Sequence, residues 1–217
     1  MSNEEIINIV KNYVKSVCEN EPTGHDWWHV YRVYNNAMLI NKEENANEFT
    51  ITMIALMHDL YDHKFYNGDA KKALEETLKK LNVYNYISKN DVENIINSCI
   101  NLGFSSNFTE RKELSIEGKI AQDADKLDAL GAMAIARTFA YTGKKGKPIY
   151  DPNNTELVDE EEYKKTGSRT AIGHFYDKVL KLKDRMNTNT AKTIAIERHK
   201  YVEGFLQEFF DEWNGVK

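Results

Sequence analysis

Two cysteines and three prolines in 217 residues are too few for a disulfide framework or a proline-rich linker. Cys18 and Cys99 stand in unrelated contexts with no C-x-x-C spacing, so a cysteine-rich zinc site is not indicated either, and a reducing compartment fits. Positive charge is not in excess: 29 Lys and Arg face 34 Asp and Glu, for a net charge of -5. That balance argues against a surface that neutralises many phosphates of a polymeric nucleic acid at once, but leaves room for a few cations around one small phosphorylated ligand. No stretch approaches the roughly 18 consecutive apolar residues of a membrane span. The opening MSNEEIINIVKNYV lacks a basic start followed by an apolar run, so a cytoplasmic protein without a membrane partner is expected. Alternating strands joined by N-G or D-G turns are missing as well.

What is present is helical period nearly everywhere. Ile6, Ile7, Val10, Val14 and Val17 recur at helical spacing before EPTG breaks the segment. A second helix is expected to start near His25 or Asp26, an acceptable N-cap, and to turn Val30, Val33, Ala37 and Ile40 inward. FTITMIALMHDLYDHKF continues as a mostly apolar helix, and residues 69–81, 91–101, 115–140, 173–184 and 188–213 are also periodic. Thr188 or Asn189 is the candidate cap of the last helix. With 41% hydrophobic and 29% charged residues, the expectation is an all-α single domain with its core over about 20–140 and C-terminal helices over about 170–214 packed on it. A homodimer is possible.

Residues 141–169, YTGKKGKPIYDPNNTELVDEEEYKKTGSR, hold two of the three prolines and runs of opposite charge, and are expected to form one long loop excursion. Long loops are often lids, and GKKGKP offers ammonium groups to an anion, yet a solvated loop has the same composition.

Three short stretches carry candidate chemistry. GHDWWHVYRV places His25 and His29 four apart on one helix face, a spacing that can bind an ion and is also common in ordinary packing. ALMHDLYDHKF sets His58 beside Asp59 among apolar residues. An ionised carboxylate there is costly unless a partner compensates, and either a divalent cation or a hydrogen-bonded imidazole would serve. IAQDADKLDALG has Asp125 and Asp128 three apart on one face with Asp123 pointing elsewhere, a run equally suited to helix capping.

Taken together, His29 in HVYRV, His58-Asp59 in MHDLYD and Asp125 in DADKLDALG resemble the H…HD…D pattern of the HD-domain phosphohydrolase superfamily. The flanks GHDWWHVYRV, HDLYDHKF and HFYDKVLKLKDRMNTNTAKTIAIERHKYVEGFLQEFFDEW resemble its small bacterial YedJ/YpgQ-like branch, from about residue 20 to the C-terminus. The resemblance implies an all-helical fold in which His29, His58, Asp59 and Asp125 hold one divalent metal ion. It also implies hydrolysis of a phosphoester or phosphoanhydride, most directly in a nucleoside triphosphate cleaved as a pyrophosphohydrolase would cleave it. A mixed N/O ligand set suits Mn, Mg, Co, Ni, Fe or Zn without distinguishing them.

Such an ion polarises a phosphoryl oxygen and acidifies a water, and a nearby carboxylate can take the proton. Asp62, three residues after Asp59, matches in position the acid that serves this role in HD-domain nucleotidases, although those carry the longer glutamate. Arg32, one turn after His29, can meet a phosphate oxygen or pair with Asp59 or Asp128, while Lys64, Lys126 and His25 are further candidates for substrate contact. His199 reads as structural. Two alternatives stand beside this reading: a nucleotide-binding or regulatory module that keeps the ligands without turnover, and a phosphodiesterase or nucleotidase acting on another phosphoester. A zincin built on His25 and His29 with Asp26 as base lacks a third ligand at suitable spacing.

Overall fold

The computed structural model describes residues 1–19, 26–62, 66–102 and 113–217, and every regular element among them is helical. They fall into two compact units, Met1–Asp125 and Lys126–Lys217. No helix among the described residues is long and apolar enough to cross a membrane.

The first unit is built on α1 (Asn3–Cys18), α2 (Trp27–Glu44), α3 (Glu48–Met57), α4 (Ala70–Lys80), α5 (Lys89–Asn101) and α6 (Ile116–Asp128), the last of which runs past the division into the second unit. Ser2 starts α1 reciprocally: its hydroxyl accepts from the Glu5 N–H at 3.2 Å and its own N–H donates to the Glu5 carboxylate at 2.7 Å. Ile6, Val10, Val14 and Cys18 form the buried stripe of α1, whereas Val17, which shares their helical spacing, lies in the last turn of the helix and is 52% exposed. Trp27 and Trp28 divide in the same way, the first buried and the second 61% exposed.

Helix α3 is buried from Thr50 to Met57 on all sides, as its near-continuous apolar sequence requires, and packs against α1, α2 and α5. Fully buried Met53, Ile54 and Met57 each contribute on the order of 1.5–3 kcal/mol of apolar burial. Two long-range polar contacts tie down the neighbours: Asn36 Nδ2 on α2 donates to the Ala124 carbonyl of α6 at 3.2 Å, and Gln122 Nε2 donates to the Leu102 carbonyl at 3.2 Å.

The second unit holds α7 (Ala132–Lys144), α8 (Glu160–Thr166), α9 (Ala171–Asp177), a 3-10 segment at Val179–Arg185, and α10 (Asn189–Trp213) capped by the Thr188 hydroxyl. Phe175 centres its core, 6.1 Å from the Phe139 ring and 5.9 Å from that of Phe205. The single helix expected over 115–140 is instead two, because Gly131 at φ 80 takes a left-handed conformation that L side chains avoid, and the chain turns there.

The stretch expected as one loop over 141–169 is largely tied down. Helix α7 runs on to Lys144, α8 forms inside the stretch, and Lys147 Nζ donates to the carbonyls of Thr166 at 2.7 Å and Ser168 at 2.6 Å. Backbone groups that a free loop would leave to water are paired: Ala171 N–H with Pro148 O at 3.1 Å and Ile172 N–H with Ile149 O at 3.0 Å.

Candidate metal centre

The first turn of α2 carries His29. Asp26 caps that turn, its carboxylate accepting from the His29 N–H at 2.9 Å, and the imidazole is 1% exposed. Helix α3 ends at His58, its C-cap, so His58 and Asp59 sit at the exit of a buried helix rather than along it. His58 Nδ1 lies 2.9 Å from the Ala55 carbonyl, which can only accept, so Nδ1 carries a proton and the neutral ring presents its lone pair on Nε2.

That lone pair points into a tight cluster. His58 Nε2 is 3.3 Å from His29 Nε2 and 3.3 Å from Asp59 Oδ2. His29 Nε2 is 3.3 Å from Asp59 Oδ2 and 3.4 Å from Asp125 Oδ1, which α6 supplies. The donor atoms of His29, His58 and Asp125 all lie within 4.8 Å of one another.

These spacings suit a cation. Ligands about 2.1 Å from an ion stand about 3.4 Å apart at the corners of a tetrahedron and about 3.0 Å apart in an octahedron. The electrostatics agree. Burial opposes protonation of His58, yet the adjacent Asp59 carboxylate and that of Asp125 more than offset it and push its pKa up to about 9. A pocket that favours a positive charge on a buried imidazole favours one between the imidazoles too. The Asp125 carboxylate is 38% exposed while that of Asp59 is 10%, so Asp125 marks the open side of the cluster.

The remaining candidates are placed unevenly. Asp62 stands in the turn after Asp59, its N–H 3.4 Å from the Asp59 carbonyl. Arg32 lies one turn beyond His29 on α2. Lys126 donates one Nζ hydrogen bond, 2.7 Å, to the Arg185 carbonyl. His25 and Lys64 lie outside the described residues. Asp123 is fully buried, and Asp128 is buried in an ion pair with Arg137 at 2.6 Å. Nothing in the sequence singled out Arg137, which stands a little over two turns after Asp128 and across the break at Gly131. Neither cysteine offers a reactive thiol: both are buried, and burial pushes the Cys99 thiol well up.

Three comparisons bear on this arrangement. The family model described as HD domain matches residues 27–130. YpgQ of Bacillus subtilis is 36% identical over 208 residues, covering 95% of this chain and 93% of its own. A crystal structure of an HD-superfamily hydrolase from Bacillus thuringiensis aligns over 98% of this chain and 99% of that one, with a TM-score of 0.77 and 38% identity. Bacillus subtilis YpgQ in complex with ADP aligns over 98% and 97%, with a TM-score of 0.73 and 32% identity in the structure-based alignment.

Proposed function

Because the chain belongs to the HD-domain family and is an HD-superfamily hydrolase, we propose that it is a cytoplasmic, metal-dependent phosphohydrolase that cleaves a phosphoanhydride bond of a nucleoside triphosphate, releasing pyrophosphate. The observation that carries this reading is the convergence of His29, His58, Asp59 and Asp125, two imidazoles and two carboxylates at 3.3–3.4 Å spacings. The ADP complex of YpgQ supports the nucleotide part.

His29, His58, Asp59 and Asp125 are the proposed ligands of one divalent ion. When bound, that ion supplies Lewis acidity, polarising a phosphoryl oxygen and acidifying water. The protein does the rest. The Ala55 carbonyl keeps the His58 lone pair aimed at the cluster, and the Asp26 cap fixes the turn that carries His29. Asp125, on the open side, is the ligand nearest the incoming phosphate. Arg32 is proposed to neutralise a phosphate oxygen one turn from His29, with His25, Lys64 and Lys126 as further substrate contacts. Asp62 is proposed as the group that takes the proton from the attacking water, worth about a hundredfold or more in rate.

A panel of nucleoside triphosphates, monophosphates and dinucleotides assayed with Mn, Mg, Co and Ni tests this. Release of pyrophosphate from a triphosphate is the expected result. Nucleotide binding with no release of phosphate or pyrophosphate under any metal would instead make the chain a silent binding module.

A further inference from the structure

Helix α10 presents Lys192, Ile196, His199, Lys200 and Glu203 at spacings of three and four, along one side. The 3-10 segment Val179–Arg185 brings Lys183 and Asp184 to the same place, and together these residues line an open cavity of about 530 Å³. None of His29, His58, Asp59 and Asp125 lines it.

At its heart is an unresolved contest over one nitrogen. His199 is 5% exposed, and its Nε2 lies 3.0 Å from the Lys183 ammonium and 3.2 Å from the Glu203 carboxylate. An ammonium only donates, so facing Lys183 requires a lone pair on Nε2. A carboxylate only accepts, so facing Glu203 requires a proton there. Neither tautomer meets both, and Nδ1 is buried without a hydrogen-bond partner in either.

The cations of the cavity are under-neutralised. Among the described residues, no carboxylate lies within 4.0 Å of the Lys183 or Lys192 ammonium group. Lys200 pairs with Glu197 at 3.1 Å, outside the cavity lining. That leaves Lys183 and Lys192, among the described residues, as the lining ammonium groups with no carboxylate at ion-pair distance. An anion bound at Lys183 would draw the ammonium donors to itself and free Nε2 to donate to Glu203, which ends the contest. The half-exposed Ile196 adds an apolar wall for the carbon part of a ligand.

We propose that this cavity is a second, metal-independent binding site for a small phosphate-bearing anion, with Lys183 and Lys192 as its charge partners and His199 as the residue that positions Lys183. The phosphate group suits it because lysine ammonium groups act on phosphate as point charges from several directions.

Titration calorimetry of the full chain in EDTA tests the site without any metal, using inorganic pyrophosphate and AMP as probes. Pyrophosphate is expected to bind once, roughly tenfold more weakly in Lys183→Met and severalfold more weakly in Lys192→Glu, with Asp59→Ala unchanged. Lys192 is exposed, so Lys192→Glu decides the matter even if Lys183→Met fails to fold. AMP binding that is weakened by Ile196→Ser, with pyrophosphate spared, supports the apolar wall. The proposal is overturned by no binding at millimolar pyrophosphate, by equal affinity in both lysine variants, or by loss of binding in Asp59→Ala. Hydrolysis is not read in this experiment, so failure of the proposed phosphohydrolase activity leaves its outcome intact.

Discussion

His58 and His199 are both buried, one at the C-cap of α3 and the other within α10, and their surroundings differ. Around His58 the neighbours are carboxylates, Asp59 and Asp125, together with a second imidazole. Around His199 they are mixed, the Lys183 ammonium at 3.0 Å and the Glu203 carboxylate at 3.2 Å, with Lys192 and Lys200 in the same cavity lining. The residue type does not decide what a buried histidine is for. The charges it faces do: carboxylates beside His58 favour a cation, and the Lys183 ammonium beside His199 carries the proposed anion site. His174 is a third variant, with hydroxyls for partners and cations beyond them.

The most severe way to break the comparison is His58→Ala combined with Asp59→Ala. Loss of bound metal and a fall in hydrolysis of about a thousandfold or more are expected, since several kcal/mol of charge stabilisation leave with the ion. Pyrophosphate binding in EDTA stays. Metal analysis showing full occupancy in the double variant would remove the proposed centre, and loss of pyrophosphate binding would merge the two sites into one.

His174 sharpens the comparison through pH. Burial, with Lys178 and Lys147 nearby, pushes its pKa down to about 4, the opposite direction to His58. Its Nδ1 lies 3.3 Å from both the Tyr163 hydroxyl and the Ser168 hydroxyl, and each can donate to a neutral ring. The unfolded chain takes up the proton near pH 6.5, so the stability from keeping His174 neutral is complete above 6.5 and is lost as pH falls toward 4. The loss amounts to on the order of 3 kcal/mol. Urea titrations at pH 7 and 4.5 measure it, and His174→Gln should lose less stability over that interval than the parent. Equal losses would mean that His174 accepts a proton freely in the folded chain.

Asp62→Asn separates holding a metal from using it. A drop of about a hundredfold in kcat with metal content unchanged is expected if Asp62 takes the proton. Parent-like turnover would return the role to another group.

Much of this was legible in the sequence, for reasons that differ by residue. The helices with a strong one-sided period, α1 and α5, appear where Ile6, Val10 and Val14 or Val92, Ile95 and Ile96 require them, and Thr188 does cap α10. The all-α reading followed from that period, and the grouping of His29, His58, Asp59 and Asp125 from the resemblance to the family. Less legible was whatever depends on partners distant in sequence. Residues 141–169 read as free loop because their anchors, such as Asp177 accepting from the Val158 N–H at 3.1 Å, show no local pattern. The break at Gly131 was hidden because apolar residues on both sides keep helical spacing across it. His199 read as structural because its unusual feature, Lys183 at 3.0 Å, comes from sixteen residues away in another element.

The two N-caps offer the finest test of the contrast, because each starts a helix that carries a histidine of one of the two sites, His29 in the candidate metal centre and His199 in the cavity. Asp26 accepts from the N–H of His29 itself, whereas Thr188 accepts from Ala191, two full turns before His199. Replacing either with alanine removes a capping hydrogen bond worth about 1 kcal/mol. In Asp26→Ala the disturbed turn is the one that holds a proposed ligand, so weaker metal affinity should accompany the lower Tm. In Thr188→Ala the fraying is confined to the first turn of α10, so Tm should fall with metal affinity unchanged and pyrophosphate affinity altered only through Lys192. Equal metal affinity in the two variants would mean that the His29 ring is held by packing around it rather than by its helix start, and the cap would then be a stability device alone.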